Sequence, residues 1–259
     1  METAEKGYNE YYALIHILLN MGEEMYKCGA EINRIEDTLS RIGRAYGAAE
    51  TNVLAITTSI VITMRFEDNY HITETRRMLK SPSNDYTKLE KYNAISRRCC
   101  KTAMPLNELR EMIDDAKKPM SALKFFLGGV LAASAFTIFF GGTLKDAAVA
   151  AVFALLICLG QKYAFEFCPN NATFNLLMSF VAGVCICLTV RAFPSLNMDK
   201  IIIGDIMLLI PGAAITNAVR DIIVGDVISG TFRMLESLLW AAGIAIGFLL
   251  AILLAGRGI

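Results

Sequence analysis

The hydrophobic pattern along the chain changes character twice. Between residues 10 and 46, apolar side chains recur at three- and four-residue steps: Leu14, Ile17, Leu18, Met21, Met25 and Cys28, then Ile32, Ile35, Leu39, Ile42 and Tyr46. That spacing predicts two amphipathic helices, interrupted at Gly29-Ala30 and closed by Gly47. From Leu54 to Phe66 the period shortens to two. The even positions Leu54, Ile56, Ile60, Ile62, Met64 and Phe66 are apolar among Thr, Ser and Val, which predicts strand with one buried face. Thr57-Thr58-Ser59 is where this run can divide, Glu67-Asp68-Asn69 reads as a turn, and Tyr70 to Thr75 as a return strand. Beyond a loop at Ser81-Pro82-Ser83-Asn84, helices are expected over about 86–102 and 106–117, the second opened by Pro105, whose missing N–H costs nothing there. The order ααββ(β)αα predicts a small α+β domain over residues 1–118.

After Lys117-Lys118-Pro119 the polar spacing gives way to five apolar stretches, at about 121–140, 144–163, 174–193, 200–223 and 235–254. Each approaches the roughly 20 residues a helix needs to cross about 30 Å of hydrocarbon. Backbone groups in lipid must pair within their own segment, so the stretches are expected to be helices. The predicted fold class is therefore an α-helical membrane protein, with about five transmembrane helices over 119–259 preceded by a small cytoplasmic α+β domain. The polar opening METAEKGYNEYY does not read as a signal peptide, and a polar domain ahead of the first span is expected to stay in the cytoplasm. That orientation puts Lys117, Lys118, Lys162, Arg220 and Arg233 inside and Lys145, Arg191, Lys200 and Arg257 outside, a weak basic bias in the same direction. Five spans would then leave the C-terminus outside. Pairs such as Gly128-Gly129, Ala132-Ala133 and Ala150-Ala151 are suited to close helix packing.

Composition agrees with a lipid-facing half: 54% of the 259 residues are hydrophobic and the mean hydropathy is +0.44. The formal net charge of zero and the lack of a long basic run give no support for nucleic-acid binding. The seven cysteines contain no C-x-x-C and sit largely in or beside apolar stretches, where a free Cys behaves as a small hydrophobe, so neither a metal site nor a cofactor is expected. No phosphate loop, nucleophile elbow or H-E-x-x-H occurs, and His16 and His71 have no catalytic companions at useful spacing; the chain is not expected to be an enzyme.

The fourth apolar stretch carries the candidate chemistry. It holds Asp205 deep in an apolar run, then Pro211-Gly212, then Thr216, Asn217, Arg220, Asp221 and Asp226. Pro211 removes a helical hydrogen bond, so a break at Pro211-Gly212 is expected. Ionisable groups within a span face a cavity or a partner, and a broken helix offers backbone groups and a half-helix N-terminus to a small anion. These eight residues are the candidate substrate or proton pathway, with Asp205 as a proton carrier and Arg220 as a cation for a substrate carboxylate or for Asp221 or Asp226. The bland alternative makes them boundary charges and Pro211 a simple kink. IIIGDIM at 201–207 is echoed by IIVGDVI at 222–228, too short an echo to assert a repeat. In the soluble part Glu31, Arg34, Glu36 and Asp37 are candidates for a gating or docking surface. Against this stands a plain solvated face, with Glu31/Arg34 and Asp37/Arg41 pairing along the helix.

The segments GAEINRIEDTLSRIGRAYG, TNVLAITTSIVITM and GDIMLLIPGAAITNAVRDIIVGDVISG together resemble the threonine/serine exporter (ThrE-like) family, and more closely the YjjP-type large subunit of its split form. The resemblance runs over nearly the whole chain and is most specific at Asp205, Pro211, Gly212, Asn217, Arg220, Asp221, Gly225 and Asp226. It implies an inner-membrane exporter of small carboxylate metabolites, threonine and serine or a dicarboxylate such as succinate, driven by the proton gradient. It also implies a second small multi-span subunit completing the pathway, and hence an oligomer. The competing expectation is a membrane-anchored sensor or scaffold whose soluble domain binds a cytoplasmic partner.

Overall fold

The computed structural model describes residues 2–67, 70–78, 85–119 and 121–256. Asp68 and Asn69 of the expected turn and the expected loop at 81–84 lie outside the described residues. The chain is mostly helical, with a small three-stranded sheet near its N-terminus. Its contacts separate it into two units, one of Met1–Pro119 with Ala213–Met234, the other of Met120–Gly212 with Leu235–Ile259.

The first unit begins with α1 (Glu2–Lys27) and α2 (Ile32–Ala45). Their predicted stripes are its core: Leu14, Ile17, Leu18, Met21, Met25, Ile32, Ile35, Leu39 and Ile42 are all buried. Each large aliphatic side chain removed from water in this way contributes about 1.5–3 kcal/mol. The sheet follows as β1 (Ala48–Ile56), β2 (Ser59–Phe66) and β3 (His71–Arg77), antiparallel in the order β1-β2-β3. In β2 the expected alternation holds, with Ile60, Ile62, Met64 and Phe66 buried. In β1 the phase is opposite to expectation: Ala55 and Thr51 are buried whereas Leu54 is 60% exposed. The two-residue turn at Thr57-Thr58 is the cause. It pairs Ala55 with Ile60 and Leu54 with Val61, and paired residues share a face. Helices α3 (Tyr86–Lys101) and α4 (Leu106–Ala116) complete the N-terminal portion. The Asp85 side chain caps α3 by accepting from the Lys88 N–H at 3.0 Å.

The second unit contains α5 (Ala122–Phe139), α6 (Leu144–Leu159), α7 (Asn171–Ala192) and α8 (Met198–Ile206). Past Leu159 the chain runs on through a π-turn at Gly160–Ala164 and a 3-10 turn at Phe165–Phe167. Helices α9 (Gly212–Val224) and α10 (Val227–Ala255) follow, and α10 starts well ahead of the expected position 235. Four helical stretches among the described residues are long and apolar enough to cross a membrane: Ala122–Phe139, Leu144–Phe167, Asn171–Ala192 and Val227–Ala255. The remaining expected span is not one helix. Its halves have 9 and 13 residues, about 13 and 20 Å at 1.5 Å per residue, and Met207–Pro211 joins them without regular helix.

The second unit buries an apolar core as the first does, but its outer surface is apolar as well. Leu123, Leu131, Phe139, Leu144, Leu239 and Leu254 are exposed, whereas Asp146, Asn175, Ser179, Asp205 and Ser237 are buried. An apolar outer surface around an interior that holds polar groups together with apolar ones such as Phe153, Ile157 and Phe248 is the arrangement that lipid, not water, selects. Glycines set the helix spacing: a methyl group on Gly243 of α10 would stand 2.7 Å from the Ala172 carbonyl oxygen of α7. Because that obstacle is backbone, Gly243→Ala is expected to lower stability by about 1–3 kcal/mol through overpacking. Gly128→Ala on α5, where the added carbon meets nothing within 4 Å, should leave stability unchanged or slightly raised; thermal unfolding of the two detergent-solubilised variants checks the contrast.

Candidate functional site

In the second unit the site is organised by the end of α8. Asp205 has no exposed surface, and among the described residues neither of its carboxylate oxygens has a hydrogen-bond partner. Gly204 lets α8 approach α5 closely, since a side-chain carbon there would collide with the Thr137 hydroxyl and lie 2.8 Å from the Ala133 carbonyl oxygen. Asp205 is also near enough to the Cys158 thiol of α6 to act on it electrostatically. Beyond Ile206 the backbone tightens into turns, with Leu208 N–H donating to Asp205 O at 3.2 Å and Gly212 N–H to Ile210 O at 2.9 Å. The amide of Gln161, carried on the π-turn after α6, approaches the Leu208 carbonyl at 3.5 Å. A helix C-terminus presents partial negative charge, so this end of α8 and the Asp205 carboxylate together favour a cation or a proton.

Asp146 shows what the same unit does with a carboxylate it needs only for structure. Also without exposed surface, it accepts from the Thr143 N–H and hydroxyl at 2.8 Å each and from the Asn197 N–H and amide at 2.8 and 2.9 Å. It thereby closes a capping box on α6 and fixes the start of α8.

In the first unit, side chains from α9 and the start of α10 converge on the end of the α1–α2 connection and the first residue of α2. The Asn217 amide donates to Gly29 O at 3.0 Å, Arg233 to Ala30 O at 2.9 Å, and Arg220 pairs with Glu31 at 2.9 Å. The Asp221 carboxylate lies near the Ile32 N–H, the first of α2. Glu31 makes no cap of its own for α2, so Asp221 places the negative charge that the helix N-terminus favours. Asp221 and Arg233 are themselves paired at 2.8 Å, with side chains 2% and 5% exposed, and the guanidinium lies 5.0 Å from the Tyr26 ring centroid.

The remaining candidates are placed as follows. Thr216 and Gly212 are exposed, and Pro211 is buried. The Asp226 carbonyl accepts from Gly230 at the start of α10. On α2, Arg34 is exposed and Asp37 pairs with Arg41 at 2.8 Å, whereas Glu31 turns to Arg220 instead of Arg34. Glu36 accepts from the Ala55 N–H at 2.7 Å and so ties β1 to α2. Burial raises the Glu36 carboxyl above its ordinary value, the Ala55 N–H partly offsets this, and the charge of Asp226 adds to the rise. The two echoed heptapeptides differ in structure: Gly204 lies within helix, whereas Gly225 ends α9 at a φ of +111°. Arg233 and Gln161 carry no local motif that marks them. Their only sequence signal is a polar side chain in or beside an apolar stretch.

Known proteins resemble the chain as follows. The family model described as "Putative threonine/serine exporter" (ThrE) matches residues 16–255. A curated protein of Mycobacterium tuberculosis (strain ATCC 25618 / H37Rv), "Probable threonine/serine exporter", is 21% identical over 253 residues, covering 92% of this chain and 46% of that protein. The chain thus spans about half the length of that relative. No solved structure matches it.

Removing one partner of a buried ion pair strands the other, at about 3–5 kcal/mol. Arg233→Ala should therefore lower the unfolding temperature sharply, whereas Asp205→Asn, which removes an unpaired buried carboxylate, should leave it unchanged or raised; thermal unfolding of the full chain separates the two. Glu36 yields a pH test. Its folded carboxyl holds its proton more tightly than the unfolded one, so stability declines as pH rises from about 4.5 toward the folded value. Glu36→Gln should flatten that part of the stability–pH curve.

Proposed function

Because the chain belongs to the threonine/serine exporter family, we propose that it is one subunit of an exporter of small carboxylate metabolites and that Asp205 carries its coupling proton. The observation behind the proposal is the condition of Asp205: fully buried, without a hydrogen-bond partner among the described residues, beside a helix break in a unit that otherwise satisfies its buried Asp146 with four donors. A fixed charge left in this state is costly. A carboxyl that alternately takes and releases a proton avoids the cost and ties the cycle to the proton gradient. Pro211 and the residues before it keep the chain irregular beyond Asp205.

On this reading α8 enters the membrane from the second unit, the soluble unit with α9 lies in the cytoplasm, and the inner membrane is the location. The substrate is an amino acid such as threonine or serine in preference to a dicarboxylate. A dicarboxylate asks for two cations, and Arg220 and Arg233 are engaged by Glu31 and Asp221. A second small multi-span subunit completes the pathway, in keeping with a relative of which this chain covers 46%. An anchored sensor would have no use for an unpaired buried carboxylate.

The test is efflux of labelled serine, threonine and succinate from proteoliposomes containing the chain with its co-purified membrane partner under an imposed pH gradient. Serine or threonine flux that follows the gradient is expected, with Asp205→Asn abolishing the gradient dependence. Absence of flux for all three substrates would overturn the proposal. Succinate as the sole substrate would overturn the preference for amino acids.

A further inference from the structure

The hairpin formed by α9 and the first turns of α10 is attached within the first unit in an unusual way. Its fully buried residues are Ala218, Asp221, Ser229, Gly230 and Arg233, none of them a large hydrophobe. Most of its large apolar side chains, among them Val219, Ile223, Val224, Ile228 and Phe232, are exposed, and Ile215, Ile222 and Met234 are half-buried. The attachment therefore consists mainly of polar ties to Gly29, Ala30 and Glu31, with the Arg233 guanidinium over the Tyr26 ring. The pairing of α1 with α2 is the opposite case, sealed by buried Leu, Ile and Met side chains.

That difference has a mechanical meaning. Breaking an apolar contact exposes hydrocarbon, at a cost proportional to area. Breaking a hydrogen bond to a carbonyl or an exposed ion pair trades one polar partner for water at little net cost. Elements that move are drawn from such weakly held regions. The hairpin is also built to move as one body. Gly225 turns the chain at a φ of +111°, Gly230 packs where a side chain would lie 2.8 Å from the Ala218 carbonyl oxygen, and Arg233 bridges back to Asp221. At one end it continues directly from the irregular Met207–Pro211 link, and at the other α10 runs on through Ala255 as an apolar helix.

Resting on the exporter reading above, we propose that the α9–α10 hairpin is a latch: it must leave and regain Gly29–Ile32 in each transport cycle, and the soluble unit thereby controls the break that follows Asp205. Arg233 and Asp221 are the positioning residues that keep the hairpin in one piece while Asn217, Arg220 and Arg233 let go of the α1–α2 connection.

The test uses the full chain with its partner in proteoliposomes, its native cysteines replaced and Glu31→Cys and Arg220→Cys introduced. A short bis-methanethiosulfonate reagent then joins the two positions through reducible disulfides. Serine or threonine efflux is expected to fall many-fold on cross-linking and to return with reductant. Efflux that is unchanged by a complete cross-link overturns the latch, because a static support need not open. A second measurement does not depend on transport. Hydrogen exchange of the peptide spanning residues 29–34 should be several-fold faster than that of β2 and faster still in Asp221→Asn; exchange as slow as β2 in the wild type overturns the latch. Wild-type protein that moves no substrate yet shows the fast exchange would sink the exporter reading and leave the mobility of the latch standing.

Discussion

A polar group removed from water must find another polar group, and most of what distinguishes this chain follows from where that requirement is met. In the second unit the outer surfaces are hydrocarbon, so solvent satisfies no inward-facing polar atom and the protein must do so itself. Asp146 is the requirement met in full, with four donors from Thr143 and Asn197. Those bonds set the start of α6 and of α8 together. Asp205 is the requirement left open, with no partner among the described residues for either oxygen. The two aspartates occupy one unit and neither has exposed surface, so exposure alone does not separate the bonded carboxylate from the unbonded one. The count of donors does.

The first unit meets the same requirement across the chain. The connection at Gly29–Ile32 has carbonyls that neither α1 nor α2 uses, and the hairpin supplies their partners from Asn217 and Arg233, with Asp221 near the Ile32 N–H. Asp221 does double duty, completing the N-terminus of α2 and neutralising Arg233. A helix terminus that lacks its own cap is thereby made dependent on a segment 188 residues away in the sequence. Local folding of α1 and α2 is driven by their apolar stripes; what the hairpin adds is the finishing of one helix end.

Much of this architecture was legible in the residue pattern because its causes are local. The stripes of α1 and α2, the strand period of β2, the Pro105 start of α4 and four apolar spans all follow from period, length and turn chemistry. The misreading of Leu54 has an equally local cause. A two-residue turn reverses the chain, and the face of each following residue is set by the pairing, not by continued counting. The divided fourth stretch was marked by Pro211, but the separate fates of its halves were not, since Glu31 looked equally able to pair with Arg34 on its own helix. Spacing within a helix gives the candidates for an ion pair; tertiary geometry chooses among them, and here it chose Arg220. Spacing marks Arg233 only as a possible second cation and leaves Gln161 unmarked, for the same reason: their partners are a carbonyl at Ala30 and one at Leu208.

The arginines also constrain the chemistry of the proposed pathway. An anion entering the hairpin region must compete with Glu31 for Arg220 and with Asp221 for Arg233. The second contest is unequal, because Asp221 and Arg233 are shielded from water and their separation is 2.8 Å, which strengthens the attraction relative to an exposed pair. Arg220 is 64% exposed, so its bond to Glu31 is the one a substrate carboxylate could replace at little cost. A ligand that takes Arg220 from Glu31 removes one of the ties that hold the hairpin on Gly29–Ile32. Binding of a single carboxylate and loosening of the hairpin are then the same event, a coupling that needs no second cation and no rearrangement of the buried Asp221–Arg233 pair.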